Sequence, residues 1–323
     1  MKNNPIVIMA GEPDSVFFEI FFKTLNSNKF KSSLVLIASH KLLKSQMKKF
    51  NFKKKIKILD FKNLRNYDLS TTDINLINVD YNFIKKIPRI KIAIEKNNYI
   101  KKCFEVSFKI LKSGFSYKFI NGPINKSTFL NKKYLGVTEY IAAKFNINDV
   151  AMLIYDKETS VCPVTTHLPI KLVTKKINKK LIKEKTALID NFFKKSIGIK
   201  PKIAVTGLNP HCESIQEFNE DEKIISPAIK SLKKKGFKIY GPFPADTIFL
   251  KQNRIKYDVI LGMYHDQVLT PIKALKEYNA INITLGLPFY RISPDHGPNM
   301  SMINKNLSNP QSLINAIKFL DKK

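Results

Sequence analysis

The stretch that decides the fold is Tyr257–Lys273, YDVILGMYHDQVLTPIK. Tyr257 to Met263 is a short apolar run rich in branched side chains, the pattern of a buried strand. It opens onto Tyr264, His265, Asp266 and Gln267, and Pro271 is read as re-aiming the chain before Lys273. A buried strand that ends in a polar cluster is how an open α/β sheet presents chemistry, at the carboxyl ends of its strands. Taken alone, His265 is equally well a satisfied histidine in a strand-to-helix turn. Other stretches of the same design weigh against that reading.

Working outward, apolar runs alternate with amphipathic ones. Strands are expected at Ile6–Ala10, Leu34–Ala38, Lys54–Leu59, Lys118–Ile120, Val150–Tyr155, Ser160–Thr165, Lys202–Thr206 and Ala280–Leu285. Helices are expected at Ser15–Leu25, His40–Lys49, Tyr99–Ser113, Asn178–Lys195 and Ser312–Leu320. The polar stretch Phe61–Ile87 resists assignment. Gly241–Thr247 and Arg291–Gly297 read as loops, and Val150–Thr165 as a hairpin. This alternation implies an α/β fold with mostly parallel sheets and helices on both faces. A chain of 323 residues is long enough for two such domains.

The formal charge of +30 invites a nucleic-acid or membrane reading. Yet Arg65, Arg89, Arg254 and Arg291 are the only arginines among 56 basic residues. Base-reading and phosphate-clamping surfaces lean on arginine, whereas these lysines are dispersed along the whole chain. A solvated lysine surface is therefore ranked above a nucleic-acid site, and the charge is expected to draw small anions. Three scattered cysteines, Cys103, Cys162 and Cys212, argue for a reducing compartment. No run has the length of a signal peptide core or a membrane span, so a cytoplasmic protein is expected.

Two constellations carry candidate chemistry. His167, His211 and His265 each follow an expected strand. Successive strand ends in a parallel sheet lie side by side, so three such imidazoles can converge on a divalent metal, typically zinc. Asp246 and Asp266 could orient those rings or receive protons. The plainer alternative is three unrelated capping histidines, and His40 is read as a solvated helix-start residue. The second set is Thr138, Lys273, Asn282 and Arg291, donors near the same sheet edge that are suited to a phosphate. Neither GxGxxG nor GxxxxGK[ST] occurs, which argues against a classical dinucleotide fold and a P-loop but not against NAD.

The motifs GEP at Gly11, GPINK at Gly122, TEY at Thr138, TTHLPI at Thr165, GLNPH at Gly207, GPFPADT at Gly241, YDVILGMYHDQ at Tyr257, NITLGLP at Asn282 and RISPDHG at Arg291 together resemble the 4-hydroxythreonine-4-phosphate dehydrogenase family of vitamin B6 synthesis. The resemblance implies two α/β/α domains of the isocitrate/isopropylmalate dehydrogenase type. On that basis residues 1–125 with 272–323 are expected to form one domain and 126–271 the other. It also implies a homodimer whose active sites lie in an interdomain cleft and are completed by the partner. Carried over by motif, His167, His211 and His265 are metal ligands, for Zn2+ or else Mg2+ or Co2+. Thr138, Lys273, Asn282 and Arg291 become substrate contacts. The implied reaction is NAD- or NADP-dependent oxidation of 4-phosphooxy-L-threonine at C3 followed by decarboxylation. Lys273, Asp246 and Asp266 are candidates for proton transfer, and His296, Gly297 and Ser301 for the cofactor.

Three departures from the family pattern stand out. Val137 replaces a histidine that contacts substrate. GEPDSVFFE replaces GEPAGIGPE, with Ser15 and Phe17 at glycine positions. HGPNMSMIN replaces an HGTAFDIAG-like cofactor loop, with Ser301 at the aspartate and Asn304 at a glycine. Rival readings are a 4-phospho-D-threonate or erythronate dehydrogenase, a drifted homologue that binds ligand with weak turnover, an acyltransferase on a related fold and, last, a nucleic-acid module.

Overall fold

The structure is a computed structural model that describes residues 4–81, 89–125, 129–130, 133–213, 218–294, 299–303 and 305–323. The strands in chain order are β1 (Ile6–Met9), β2 (Leu34–Ala38), β3 (Ile56–Ile58), β4 (Ile74–Asn78), β5 (Lys118–Asn121) and β6 (Ala151–Tyr155). They continue with β7 (Ser160–Thr165), β8 (Ile203–Thr206), β9 (Ile239–Phe243), β10 (Val259–Tyr264), β11 (Ile281–Leu285) and β12 (Tyr290–Pro294).

The chain forms two compact units, Met1–Val137 with Pro288–Lys323, and Thr138–Leu287. The expectation had placed these breaks at 125/126 and 271/272. The second break falls later because β11 pairs antiparallel with β6, Asn282 opposite Ile154, which ties 281–285 into the second unit.

In the first unit the strand order is β3-β4-β2-β1-β5-β12, and each of its neighbouring pairs is parallel. β1 is IVIM, four branched or flexible apolar residues with no solvent exposure, as a strand covered on both faces requires. The helix Phe17–Ser27 is an aromatic wedge. Phe17 stacks on Phe21 at 5.7 Å and meets Phe18 edge-on at 5.6 Å.

The two residues at glycine positions of the family pattern have structural roles. Phe17 is buried, and a Cβ on Gly122 would stand 2.8 Å from its ring. Ser15 donates its hydroxyl to the Glu12 carbonyl at 2.7 Å and accepts the Phe17 N–H at 3.3 Å. The large side chain thus fills core space beside a glycine, and the serine holds the turn.

In the second unit the order is β11-β6-β7-β10-β8-β9. β6 runs antiparallel to β7 and β11, so the expected hairpin is present. β7, β10, β8 and β9 are parallel. β10 is the central member of the trio β7-β10-β8, and its residues Val259–Met263 are buried. Gly262 is required there, because a Cβ would meet Val268 Cγ1 at 2.2 Å, within the helix packed on the strand.

Several local expectations are corrected. Phe61–Ile87 contains β4, whose INLIN pattern was hidden by its polar surroundings. Gly241–Phe243 continues β9, and Arg291 lies in β12 instead of a loop. Pro271 lies inside the helix His265–Lys276. It stands at the seventh position, past the first turn, where its ring takes the place of an intrahelical donor.

Candidate active site at the ends of three adjacent strands

The fold places the three histidines on neighbouring strands. β7 runs into Thr166-His167, β10 into His265, and β8 into the loop that carries His211. The register aligns Tyr264 with Thr165 and Leu261 with Val205, so these carboxyl ends lie side by side. His167 and His211 both adopt left-handed backbone, with φ of 51° and 56°. Non-glycine residues there are uncommon and mark a held conformation.

The rings of His167 and His265 lie 5.8 Å apart, centroid to centroid, inclined at 37°. His265 Nδ1 is 2.6 Å from Asp266 Oδ1. A carboxylate on Nδ1 fixes the tautomer and leaves Nε2 as the ligating or accepting atom. Among the described residues, however, no group of three His, Cys, Asp or Glu side chains is close enough to hold a metal ion. The donor chemistry suits zinc, and two of the three imidazoles face each other. The described residues of one chain do not close the coordination shell.

Three residues without a sequence-derived role hold this edge together. Gln267 bridges β8 and β10. Its Oε1 accepts the Thr206 hydroxyl at 2.8 Å and the Met263 N–H at 2.7 Å, while Nε2 donates to the Gly207 carbonyl at 2.7 Å. Thr165 Oγ1 donates to the Met263 carbonyl at 2.8 Å and joins β7 to the same point. Asp221, buried, organises the loop before His211. It accepts the N–H groups of Leu208 at 2.8 Å and Asn209 at 3.1 Å, and the Asn209 amide at 2.9 Å. Burial first, then the negative charge of Asp221, Asp246 and Glu213, pushes the Cys212 thiol above its ordinary range, opposed by the Gly207 N–H. In the sequence Gln267 is one of four polar residues after the apolar run of β10, and Asp221 sits among acidic neighbours, so neither stands out from its surroundings.

Beside His167 the second unit encloses a cavity of about 180 Å³. Its polar lining is Thr138, Glu139, Asn148, Thr166, His167 and Lys185. Thr138 lies in the first turn of the helix Val137–Lys144. Glu139 Oε2 is closed to solvent and has no hydrogen-bond partner in the protein. Lys185 Nζ donates to the Val150 carbonyl at 2.5 Å. Its charge also acts on buried Cys162, whose thiol burial pushes up to about 12 and Lys185 draws down.

The remaining expected residues are scattered. Asp246 is exposed in the short helix Ala245–Ile248. Lys273 lies on the same helix as His265, eight residues on and so about 12 Å along its axis. Asn282 is half-buried in β11, and its Oδ1 has no hydrogen-bond partner in the protein. Arg291 belongs to the first unit, where it is buried and its Nε donates to Asn121 Oδ1 at 2.8 Å. Val137 is buried. Ser301 is exposed, with its hydroxyl 3.4 Å from Asn299 Oδ1. His296, Gly297 and Asn304 lie outside the described residues. Among those described, no helix is long and apolar enough to cross a membrane.

The chain matches the family model described as "Pyridoxal phosphate biosynthetic protein PdxA" over residues 30–320. It is 36% identical to the 4-hydroxythreonine-4-phosphate dehydrogenase of Sulfurihydrogenibium sp. (strain YO3AOP1), covering 97% of this chain and 96% of that one. It is 33% identical to the D-threonate 4-phosphate dehydrogenase of Pectobacterium atrosepticum, over 67% of this chain and 68% of that one. The crystal structure of 4-hydroxythreonine-4-phosphate dehydrogenase from Klebsiella pneumoniae superposes with a TM-score of 0.83 at 25% identity. It covers 99% of this chain and 100% of that one.

Proposed function

The chain belongs to the pyridoxal phosphate biosynthetic protein PdxA family of dehydrogenases, and we propose that it oxidises 4-phosphooxy-L-threonine at C3 with NAD. The observation that carries this reading is the placement of His167, His265 and His211 at the ends of β7, β10 and β8, beside a cavity lined by Thr138.

The oxidation removes a hydride from C3 and the proton of its hydroxyl. The resulting β-keto acid loses carbon dioxide to give 3-amino-2-oxopropyl phosphate. When bound, NAD supplies the hydride acceptor, and a divalent ion held by His167, His211 and His265 would lower the pKa of the C3 hydroxyl. The chain's own part is orientation. Asp266 holds the His265 ring, Gln267 locks β10 against β8, and Asp221 shapes the loop that carries His211. Thr138, at a helix N-terminus, and Lys273 are suited to the phosphorylated end of the substrate. Lys273 stands about two helix turns from His265, which fits the phosphorylated end of the substrate better than proton transfer at C3. Asp246, an exposed carboxylate in the short helix that follows β9, is the better proton acceptor.

Completion of the metal shell by a second copy of the chain is part of this proposal, since the described residues of one copy hold no closed trio. The test is NADH formation from 4-phosphooxy-L-threonine, with and without added Zn2+. A second reading, oxidation of 4-phospho-D-threonate, is favoured by the relative of that name and by Val137 at a family histidine position. Running both substrates in parallel separates the two.

A further inference from the structure

We propose that Asp221 is a positioning residue that sets how tightly the strand-end site holds its metal. The inference deepens the reading above and rests on its metal site. Asp221 is 1% exposed, and both of its carboxylate oxygens are engaged by the loop after β8. Oδ1 accepts the Leu208 N–H at 2.8 Å. Oδ2 accepts the Asn209 N–H at 3.1 Å and the Asn209 side-chain amide at 2.9 Å. Asp221 is itself fixed, because its backbone N–H donates to Asn219 Oδ1 at 2.9 Å. Its influence on the site therefore runs through the loop.

The loop passes this hold on to His211. Asn209, pinned twice by Asp221, accepts the Cys212 N–H at 3.1 Å with its carbonyl, and that bond closes across Pro210 and His211. Within and at the end of this closure His211 and Cys212 are both left-handed, with φ of 56° and 63°. Two consecutive non-glycine residues in that region persist only where their surroundings over-determine the backbone. Gly207 belongs to the same arrangement. A Cβ there would stand 2.6 Å from Asp221 Oδ1 and 2.6 Å from Cys212 Sγ, so a side chain would displace one or the other. A ligand already held in its bound conformation gives up little freedom when metal arrives, and groups outside the coordination shell tune affinity in this way. The carboxylate form is needed. It accepts on both oxygens, whereas the amide of Asp221→Asn turns a donor toward one of the loop N–H groups.

The test is zinc binding by the full chain, without substrate or NAD, read by competition with a chromophoric chelator. The proteins compared are the wild type, Asp221→Asn and Asp258→Asn. Asp258 accepts the Lys202 N–H at 2.7 Å just before β10 and β8, at the opposite end of the same strands, and controls for lost stability. Asp221→Asn is expected to bind zinc about 10- to 100-fold more weakly, and Asp258→Asn to bind it as the wild type does. Wild-type affinity in Asp221→Asn overturns the proposal, and so does an equal loss in both variants. If Asp221→Asn fails to fold, Asn209→Ala decides. It removes one side-chain bond to Asp221, so zinc affinity should fall about 2- to 10-fold, and an unchanged affinity overturns the proposal. A wild type that binds no zinc refutes the metal site and this proposal with it. Zinc binding that depends on Asp221, in a protein that does not oxidise 4-phosphooxy-L-threonine, refutes the proposed reaction and leaves the role of Asp221 standing.

Discussion

The ring of His167 faces that of His265 across 5.8 Å, and the two come from the ends of adjacent parallel strands, 98 residues apart in the chain. His211, on the next strand end over, is the third imidazole of the proposed metal shell. His211→Ala is expected to abolish retention of zinc and enzymatic activity, with the thermal midpoint nearly unchanged because the side chain is exposed. Metal content after dialysis and rate measurement check this. Full activity in a metal-free His211→Ala protein would remove the basis for the metal proposal.

Gln267 spans β8 and β10 through three hydrogen bonds. Truncation in Gln267→Ala strands the Met263 N–H, the Thr206 hydroxyl and the Gly207 carbonyl. Each buried group left unsatisfied costs about 1–3 kcal/mol, and partial access of water to this edge reduces the sum, so a loss of about 2–4 kcal/mol is expected. Urea denaturation measures it. A change under about 0.5 kcal/mol, the scale of an ordinary surface substitution, would mean the bridge is not structural.

Glu12 is buried at the turn after β1. Burial raises its pKa above the ordinary 4.5; the Asn125 N–H and Lys96 oppose this and Asp14 adds to it. The folded state therefore binds the proton more readily than the unfolded chain. Its contribution to stability is fully present below the ordinary value and is lost as pH rises through the raised one. Glu12→Gln keeps an acceptor for Asn125 and has no charge to bury. The variant's thermal midpoint should gain on the wild type as pH rises from acid to neutral. A difference independent of pH would show that Glu12 has no such linkage.

Ser301 stands where the family pattern has an aspartate. A carboxylate there would accept from a ribose hydroxyl more strongly than a serine does and would disfavour a 2′-phosphate. The wild type should show a high Michaelis constant for NAD and little preference over NADP. Ser301→Asp should tighten NAD by about 10- to 100-fold, the value of one charged hydrogen bond. Micromolar NAD affinity with strong NAD preference in the wild type, or no response to the substitution, would mean that other groups make the contact.

The sequence made the mostly parallel α/β plan legible because β1, β2, β8 and β10 are buried apolar runs whose pattern survives without context. It also marked the three histidine-bearing strand ends, since strand ends are local features. β4 was lost within Asn-rich surroundings, and Arg291 was read as loop because a buried arginine does not resemble strand sequence. The Arg291–Asn121 contact that makes such burial tolerable joins residues 170 positions apart. The supports of the site were equally hidden. Gln267 and Asp221 act through bonds across strands and loops. Phe17, at a glycine position of the family pattern, packs against Phe21 and Gly122 as a core residue, a role that the local sequence does not reveal.

The most direct measurement is the rate of NADH formation from 4-phosphooxy-L-threonine by the purified full chain, with zinc present and after chelation. Zinc-dependent NADH formation coupled to release of carbon dioxide, and faster than with 4-phospho-D-threonate, is the predicted result. Absence of turnover with the amine substrate under zinc-replete, NAD-saturated conditions would contradict the proposed function.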